Sequence, residues 1–267
     1  MIKLVEIELS KQEQLQYSRQ IMLTGIGVDG QKKIKNAKVL VVGAGGLGSP
    51  VLQYLTAAGV GTIGVVDNDE LAISNLPRQV LYAKNDIGMQ KAIIASKKLV
   101  KNNPNVNCII HNLFLTDDRV LKIIKNYDII VDATDNLPAR YLLNDACIML
   151  NKIMAHASIY KFQGMVSVFN FKKGPSYRCL FPFPPRSPKI LESGSAGIMG
   201  ALVGIIGSIQ AAEVIKIICG VGEVLSGKVL IYDMYNNTSC KYVLNRVDEN
   251  FMIDELIDYE EYCKPSL

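Results

Sequence analysis

No C-x-x-C pair occurs anywhere in the 267 residues, and the six cysteines, at 108, 147, 179, 219, 240 and 263, are scattered. That spacing excludes a paired-thiol motif, and with no secretory leader in view the chain is expected to be cytosolic, with free thiols. Only two histidines are present, His111 and His156, and neither has a visible serine or cysteine triad partner, so both are read as structural. No Lys/Arg block exceeds two residues, none interleaves with aromatics, and the net charge is only +4, which argues against a nucleic-acid partner. A membrane span needs roughly 20 apolar residues. The most apolar run, residues 196–207, falls short and then meets Gln210, Glu213 and Lys216, so it is read as a buried helix rather than a span. The first residues, MIKLVEIELSKQEQ, spread their charges and lack the apolar stretch of a signal peptide. Internal repeats and low-complexity segments are also missing. What is there is an apolar fraction of 49%, enough for a sizeable core, and an acidic end. Residues 248–261 carry seven acids and no Lys or Arg, read as a solvated surface.

Periodicity divides the chain into an α/β half and a mixed half. Ser10–Leu23 has helical spacing with Ser10 as N-cap. Lys38–Val42, Thr62–Asp67, Val106–His111, Asp128–Ala133 and Ile153–Ser158 read as strands. Between them Leu47–Ala58, Lys91–Lys101 (stopped by Asn103-Pro104) and Ala139–Leu150 read as helices. Such alternation predicts a Rossmann-like, mostly parallel sheet with helices on both faces. From about residue 160 the pattern changes: QGMVSVFNF alternates like an antiparallel strand, and the Pro-rich FPFPPRSPK can be neither strand nor helix. Gly197–Gly220 is a long apolar helix, and Gly227–Met234 and Cys240–Arg246 pair as strands around Asn236-Asn237. The predicted layout is an N-terminal helical arm (1–36), a nucleotide-binding half (37–160) and a second half (161–267), the last two on one continuous sheet.

The stretch KVLVVGAGGLGSPVLQYLTAAGVGTIGVVDNDE, Lys38–Glu70, carries G-x-G-x-x-G (Gly43, Gly45 and Gly48, with Gly46 inside) between a strand and a helix. Glycines there let the backbone turn tightly and approach a phosphate, and the helix start adds N–H donors. Asp67, ending the next strand, can hold a ribose hydroxyl. The loop alone fits NAD, FAD or ATP. Asn75 and Arg78 in SNLPRQ, beside Ser74, and Lys91 in GMQK lie just beyond that strand. A hydride-transfer site has no evident use for these cations, whereas a triphosphate site does, because guanidinium and ammonium groups neutralise phosphoryl oxygens. DATDN ends the next parallel strand, where the carboxyl end faces the ligand crevice. Asp135 there is a candidate Mg²⁺ ligand with phosphates as co-ligands, while Asp132 reads equally well as a structural cap.

The glycine loop, SNLPRQ, GMQK, DATDN followed by ARYLLNDAC, and SYRCLFP together resemble the MoeB/ThiF-type adenylyltransferases of the ubiquitin-activating-enzyme-like superfamily. The likeness runs in order from QYSRQIML to ELIDYEEYC, nearly the whole chain. It implies that ATP and the C-terminal Gly carboxylate of a small ubiquitin-like sulfur carrier ending in Gly-Gly react to an acyl-adenylate and pyrophosphate. The pathway it implies is molybdopterin or thiamine biosynthesis. It also implies roles. Gly43, Gly45, Gly46, Gly48 and Ser74 would contribute to the nucleotide site, with Asp67 on the ribose. Asn75, Arg78 and Lys91 would engage the phosphates, Asp135 would bind Mg²⁺, and Asn136 would sit beside it. Arg19 would reach into a neighbouring subunit's site, hence a homodimer. No protein general base is needed, because the attacking carboxylate is already ionised; positioning and charge neutralisation carry the reaction.

The chain departs from that family twice. The family's zinc site uses two C-x-x-C pairs. Here the first would fall on Ser176 and Cys179, the second on Leu244 and Val247, and one thiol cannot make a tetrahedral site, so no zinc is expected. The crossover-loop cysteine of some members aligns with Ser193, which cannot carry persulfide. Cys179, with Arg178 beside it, is a possible substitute but is read as an inert packed thiol. No rhodanese-like segment follows Tyr262, so sulfur is expected from a separate donor. Lys161, Lys172 and Lys173 with Phe162 read either as a carrier-facing patch or as a solvated face. The rival readings are adenylation of a peptide in modified-peptide biosynthesis, a NAD(P)-dependent oxidoreductase, and a non-catalytic binding module.

Overall fold

The computed structural model describes residues 8–184 and 197–264. Ser10 caps the first helix as the sequence predicts: its hydroxyl accepts the Glu13 N–H while the Glu13 carboxylate accepts the Ser10 N–H. The expected single helix over Ser10–Leu23 is broken at Tyr17 into α1 (Lys11–Gln16) and α2 (Ser18–Ile21). Tyr17 is buried, and its hydroxyl accepts a hydrogen bond from Asn103 at 2.8 Å, a tertiary demand that ends the first turn. A third helix, α3 (Gly27–Asn36), was not foreseen; it buries Gly30, Gln31 and Ile34 and exposes lysines, so its apolar signal in the sequence is thin.

The core is one eight-stranded sheet in the order β3-β2-β1-β4-β5-β6-β7-β8. The strands are β1 (Lys38–Val42), β2 (Thr62–Val66), β3 (Asn107–His111), β4 (Ile129–Asp132), β5 (Ile153–Tyr160), β6 (Gln163–Phe169), β7 (Lys228–Asp233) and β8 (Thr238–Val243). Pairings from β3 through β5 are parallel; β5–β6, β6–β7 and β7–β8 are antiparallel. The parallel strands β1, β2 and β4 are apolar nearly throughout because helices cover both faces. These helices are α4 (Gly48–Ala58), α5 (Lys91–Asn102), α6 (Asp117–Ile124), absent from the sequence reading, and α7 (Leu137–Met149).

Two apolar clusters flank the sheet. One face holds Val39, Val41, Val51, Leu55, Ile63 and Val65; the other holds Leu40, Ile130, Leu143, Phe169 and Tyr177, the last from the short helix α8 (Tyr177–Leu180). The long helix α9 (Gly200–Cys219) packs across α4, β5 and β6. By length and composition alone it could cross a membrane, but most of it is buried. Gln210 and Glu213 are buried with partners: Gln210 donates to the Asp132 and Ala155 carbonyls, and Glu213 accepts the Leu225 N–H. It is therefore a core helix of this sheet, with most of its surface covered and Ala201, Ile205 and Ala212 left exposed.

Candidate functional site

The strand order reverses direction at β1, which has β2 on one side and β4 on the other. In an open α/β sheet the crevice at that point, outside the carboxyl ends of the strands, is where ligands sit. A cavity of about 560 Å³ opens there. Its wall is made by the loops that follow β1, β2, β3 and β4, with Gly197, Ile198 and Val203 closing it from the side of α9.

The glycine loop makes its floor. Gly43 has φ +95°, and a Cβ there would stand 2.6 Å from the Ala133 carbonyl oxygen. A Cβ on Gly48 would lie 2.0 Å from the Gly43 oxygen. The two glycines are thus what let the chain turn from β1 into the N-terminus of α4. Gly43, Gly45 and Gly46 line the cavity. Gly48, buried behind them, closes the turn.

Asp67 ties this loop down. Its Oδ2 accepts the Ala44 N–H at 2.8 Å and its Oδ1 accepts the Asp69 N–H at 2.9 Å. Burial pushes its pKa above the usual carboxylate value, helped by the Asp69 charge and opposed by those two N–H groups and Lys91. Lys91 opens α5, is 5% exposed, and pairs with Asp69 at 2.8 Å. Asn75 and Arg78 also face the cavity. The Asn75 side chain accepts the Ala72 N–H, and Arg78 donates to the Ser74 carbonyl at 3.0 Å. Ser74 itself is exposed, and its carbonyl is the one that accepts from Arg78.

After β4, Asp135 is exposed on the cavity wall. Asn136 beside it spends its side-chain oxygen on the Ala139 N–H, capping α7. Asp132 lies below, fully buried. Its Oδ1 accepts the Thr134 N–H and hydroxyl, and its Oδ2 faces His156 Nδ1 at 2.7 Å. Burial holds His156 neutral by pushing its pKa down, against the pull of the Asp132 carboxylate. Burial also acts to raise Asp132, but its pKa lies below the usual carboxylate value, the His156 contact pulling it down with help from Arg140 and Thr134. Both residues are structural, as is His111, whose Nε2 meets the Tyr127 hydroxyl at 2.8 Å.

Arg19 lies on α2, exposed and outside the cavity of its own chain. Residue reading missed several wall residues. Asp69 follows Asp67 by two positions. Gln79 follows Arg78, is 3% exposed, and leaves its Oε1 without a partner. Arg140 donates to the Thr134 carbonyl and leaves its buried Nε unpaired. Both side chains stood inside motifs already singled out, SNLPRQ and ARYLLNDAC. Leu113, Phe114 and Leu115 come from the loop after β3 and carried no signal.

Three of the four positions matched above to a zinc site, Ser176, Cys179 and Val247, come together. Cys179 Sγ accepts the N–H groups of Val247 and Ser176, each at 3.4 Å, and Leu244 packs on the second apolar cluster. Cys179 is half-buried and away from the cavity. Among the described residues no three His, Cys, Asp or Glu side chains cluster as a metal site. Ser193 lies outside the described residues.

Residues 17–250 match the ThiF family. The chain belongs to the ThiF family. A sulfur carrier protein adenylyltransferase from Thermus thermophilus is 43% identical over 265 residues, covering 95% of this chain and 98% of that protein. The "Adenylyltransferase and sulfurtransferase MOCS3" of Aedes aegypti is 44% identical over 263 residues, 96% of this chain but 60% of that protein, so this ThiF-family chain spans about three fifths of the MOCS3 length. Among solved structures, E. coli MccB with ATP superposes with a TM-score of 0.76 at 26% identity, covering 86% of this chain and 72% of that one.

Proposed function

We propose that this ThiF-family protein is an ATP-dependent adenylyltransferase. It joins AMP to the C-terminal carboxylate of a small ubiquitin-like sulfur carrier ending in Gly-Gly and releases pyrophosphate. The observation that carries the reading is the convergence of Asn75, Arg78, Lys91 and Asp135 on one cavity floored by the glycine loop. Two cations and a helix N-terminus suit a polyphosphate, and a free carboxylate on the opposite wall suits a divalent ion carried with it. The 43% identity to the Thermus protein over nearly the full length of both chains supports the same substrate class.

The chemistry follows from the charges. The carrier carboxylate attacks the α-phosphorus and the bond to pyrophosphate breaks, so negative charge grows on the phosphate oxygens. Arg78 and Lys91 neutralise it, the Gly45 and Gly46 backbone lines the cavity beside it, and Asp67 with its anchored loop keeps the ribose end in register. Asp135 would hold Mg²⁺, which offers oxygen-seeking charge neutralisation when bound; a single carboxylate plus phosphate oxygens is a donor set this ion accepts.

Arg19 would complete the site of a second copy. Leu15, Met22 and Leu23, on the same arm, are 77%, 72% and 56% exposed, a surface suited to burial in a homodimer. No zinc is needed: Cys179 is engaged by backbone N–H groups, and Leu244 is packed rather than ligating. Sulfur would come from a separate donor in the cytoplasm, in molybdopterin or thiamine synthesis.

ATP–pyrophosphate exchange dependent on a Gly-Gly-ending carrier tests the reading. Asp135→Ala should abolish exchange and leave the thermal midpoint unchanged. Arg19→Ala should also fail, and mixing the two variants should restore part of the activity. Exchange driven by a short peptide but by no carrier would replace this reading with peptide activation. Absence of rescue would remove the shared site.

A further inference from the structure

Lys91 already has a partner. Its side chain is 6% exposed, and its ammonium sits 2.8 Å from Asp69 Oδ2, whereas the Asp69 side chain is 64% exposed at the cavity rim. The two are also joined through the backbone, the Lys91 N–H donating to the Asp69 carbonyl at 2.9 Å. Asp69 in turn donates its own N–H to Asp67, the carboxylate that anchors the glycine loop. A nucleotide triphosphate entering this cavity therefore meets a lysine that is neutralised, next to a carboxylate that repels it.

Resting on the ATP reading above, we propose that Asp69 is a positioning residue that holds Lys91 in the ligand-free site and competes with the phosphates for it. Binding is then an exchange of partners. The buried ammonium passes from Asp69 to the phosphate oxygens, and the exposed Asp69 carboxylate is left to solvent, where a charge is cheap to keep. Holding Lys91 this way keeps its stem in one rotamer while the site is open. It also limits the grip on the pyrophosphate product, which competes for the same ammonium. No electron or proton moves in the exchange; only ion-pair partners change.

The competition has a sign that an ordinary supporting role would not have. Removing the Asp69 charge tightens nucleotide binding instead of weakening it. Isothermal titration of the full chain with ATP·Mg²⁺ and with adenosine, on wild type, Asp69→Asn, Asp69→Ser and Asp69→Glu, measures it. Asn and Ser at this position should strengthen ATP binding roughly three- to tenfold and lower the exchange KM for ATP. Adenosine, which has no phosphate, should bind all four proteins alike, and Glu should restore the wild-type ATP affinity. Unchanged or weakened ATP binding in both Asn and Ser variants overturns the proposal, the second result making Asp69 a direct helper of the ligand. Tightening of adenosine by the same factor also overturns it, because the effect would not act through phosphate. A wild-type chain that binds no ATP refutes the ATP reading itself, and this inference with it.

Discussion

Removing Arg178 should cost this protein about 3 kcal/mol and should do so without touching the nucleotide site. Arg178 is 13% exposed and Asp145 3% exposed on their side chains. The guanidinium grips the carboxylate with two donors, Nε at 2.8 Å and Nη2 at 2.6 Å. It also lies against the Tyr141 and Tyr262 rings, and its Nη1 reaches the Tyr262 hydroxyl. Arg178→Met keeps the stem and strips the charge. Asp145 would retain only Tyr259 and Asn144 as donors, each at 2.8 Å, around a buried carboxylate. Losing one partner of a buried pair costs about 3–5 kcal/mol, and the two surviving donors place this case at the lower end. For a domain of this size that is a drop of roughly 6–12 °C in Tm. Urea unfolding should show the loss in the midpoint with the m-value unchanged. Arg178→Met combined with Asp145→Asn should recover most of it, since no charge is then left buried and the Tyr259 and Asn144 donors keep an acceptor. A single-variant loss below about 1 kcal/mol, the worth of an exposed pair, would refute the argument.

Other outcomes follow from the same geometry. Gly43→Ala must absorb a 2.6 Å contact with the Ala133 carbonyl at φ +95°, so it should lose about 1–3 kcal/mol and weaken ATP binding at least tenfold, read by melting and titration. The folded-state pKa of His156 is depressed by burial, so the unfolded chain takes up its proton first. Stability should therefore fall as pH drops through about 6.5, and denaturant titrations from pH 8 to 5 should show a shallower fall in His156→Gln. Extended dialysis against EDTA should leave the thermal midpoint unchanged, with zinc below one tenth of an equivalent by elemental analysis; a clear drop would mean a metal holds the second half together.

The regular α/β half was legible because its determinants are local. Apolar runs ending in Gly43 and in Asp67 made β1 and β2, and a helical spacing closed by Asn103-Pro104 made α5. α3 and α6 escaped because each buries only a few side chains and is rich in charge, and what stabilises them is packing on other helices, α9 and α2 for α3 and α7 for α6. Residues within an ordered motif were found by the motif. Phe114 and its neighbours, on an irregular loop after an edge strand, could be placed only by the fold.

By itself the sequence determined the turn chemistry of the glycine loop, the acid and cations beyond β2, and the loss of the paired thiols. These depend on residue type and near-neighbour spacing. Tertiary structure decided which of them share a wall. It put Gly48 behind the surface and Arg140 and Gln79 on the cavity wall, and it spent Asn136 on a helix cap. It also set Lys91 against Asp69, 22 positions earlier in the chain. Side-chain direction and partner choice come from the packing of β1, β2 and β4 against their helices, and no spacing within one segment encodes them.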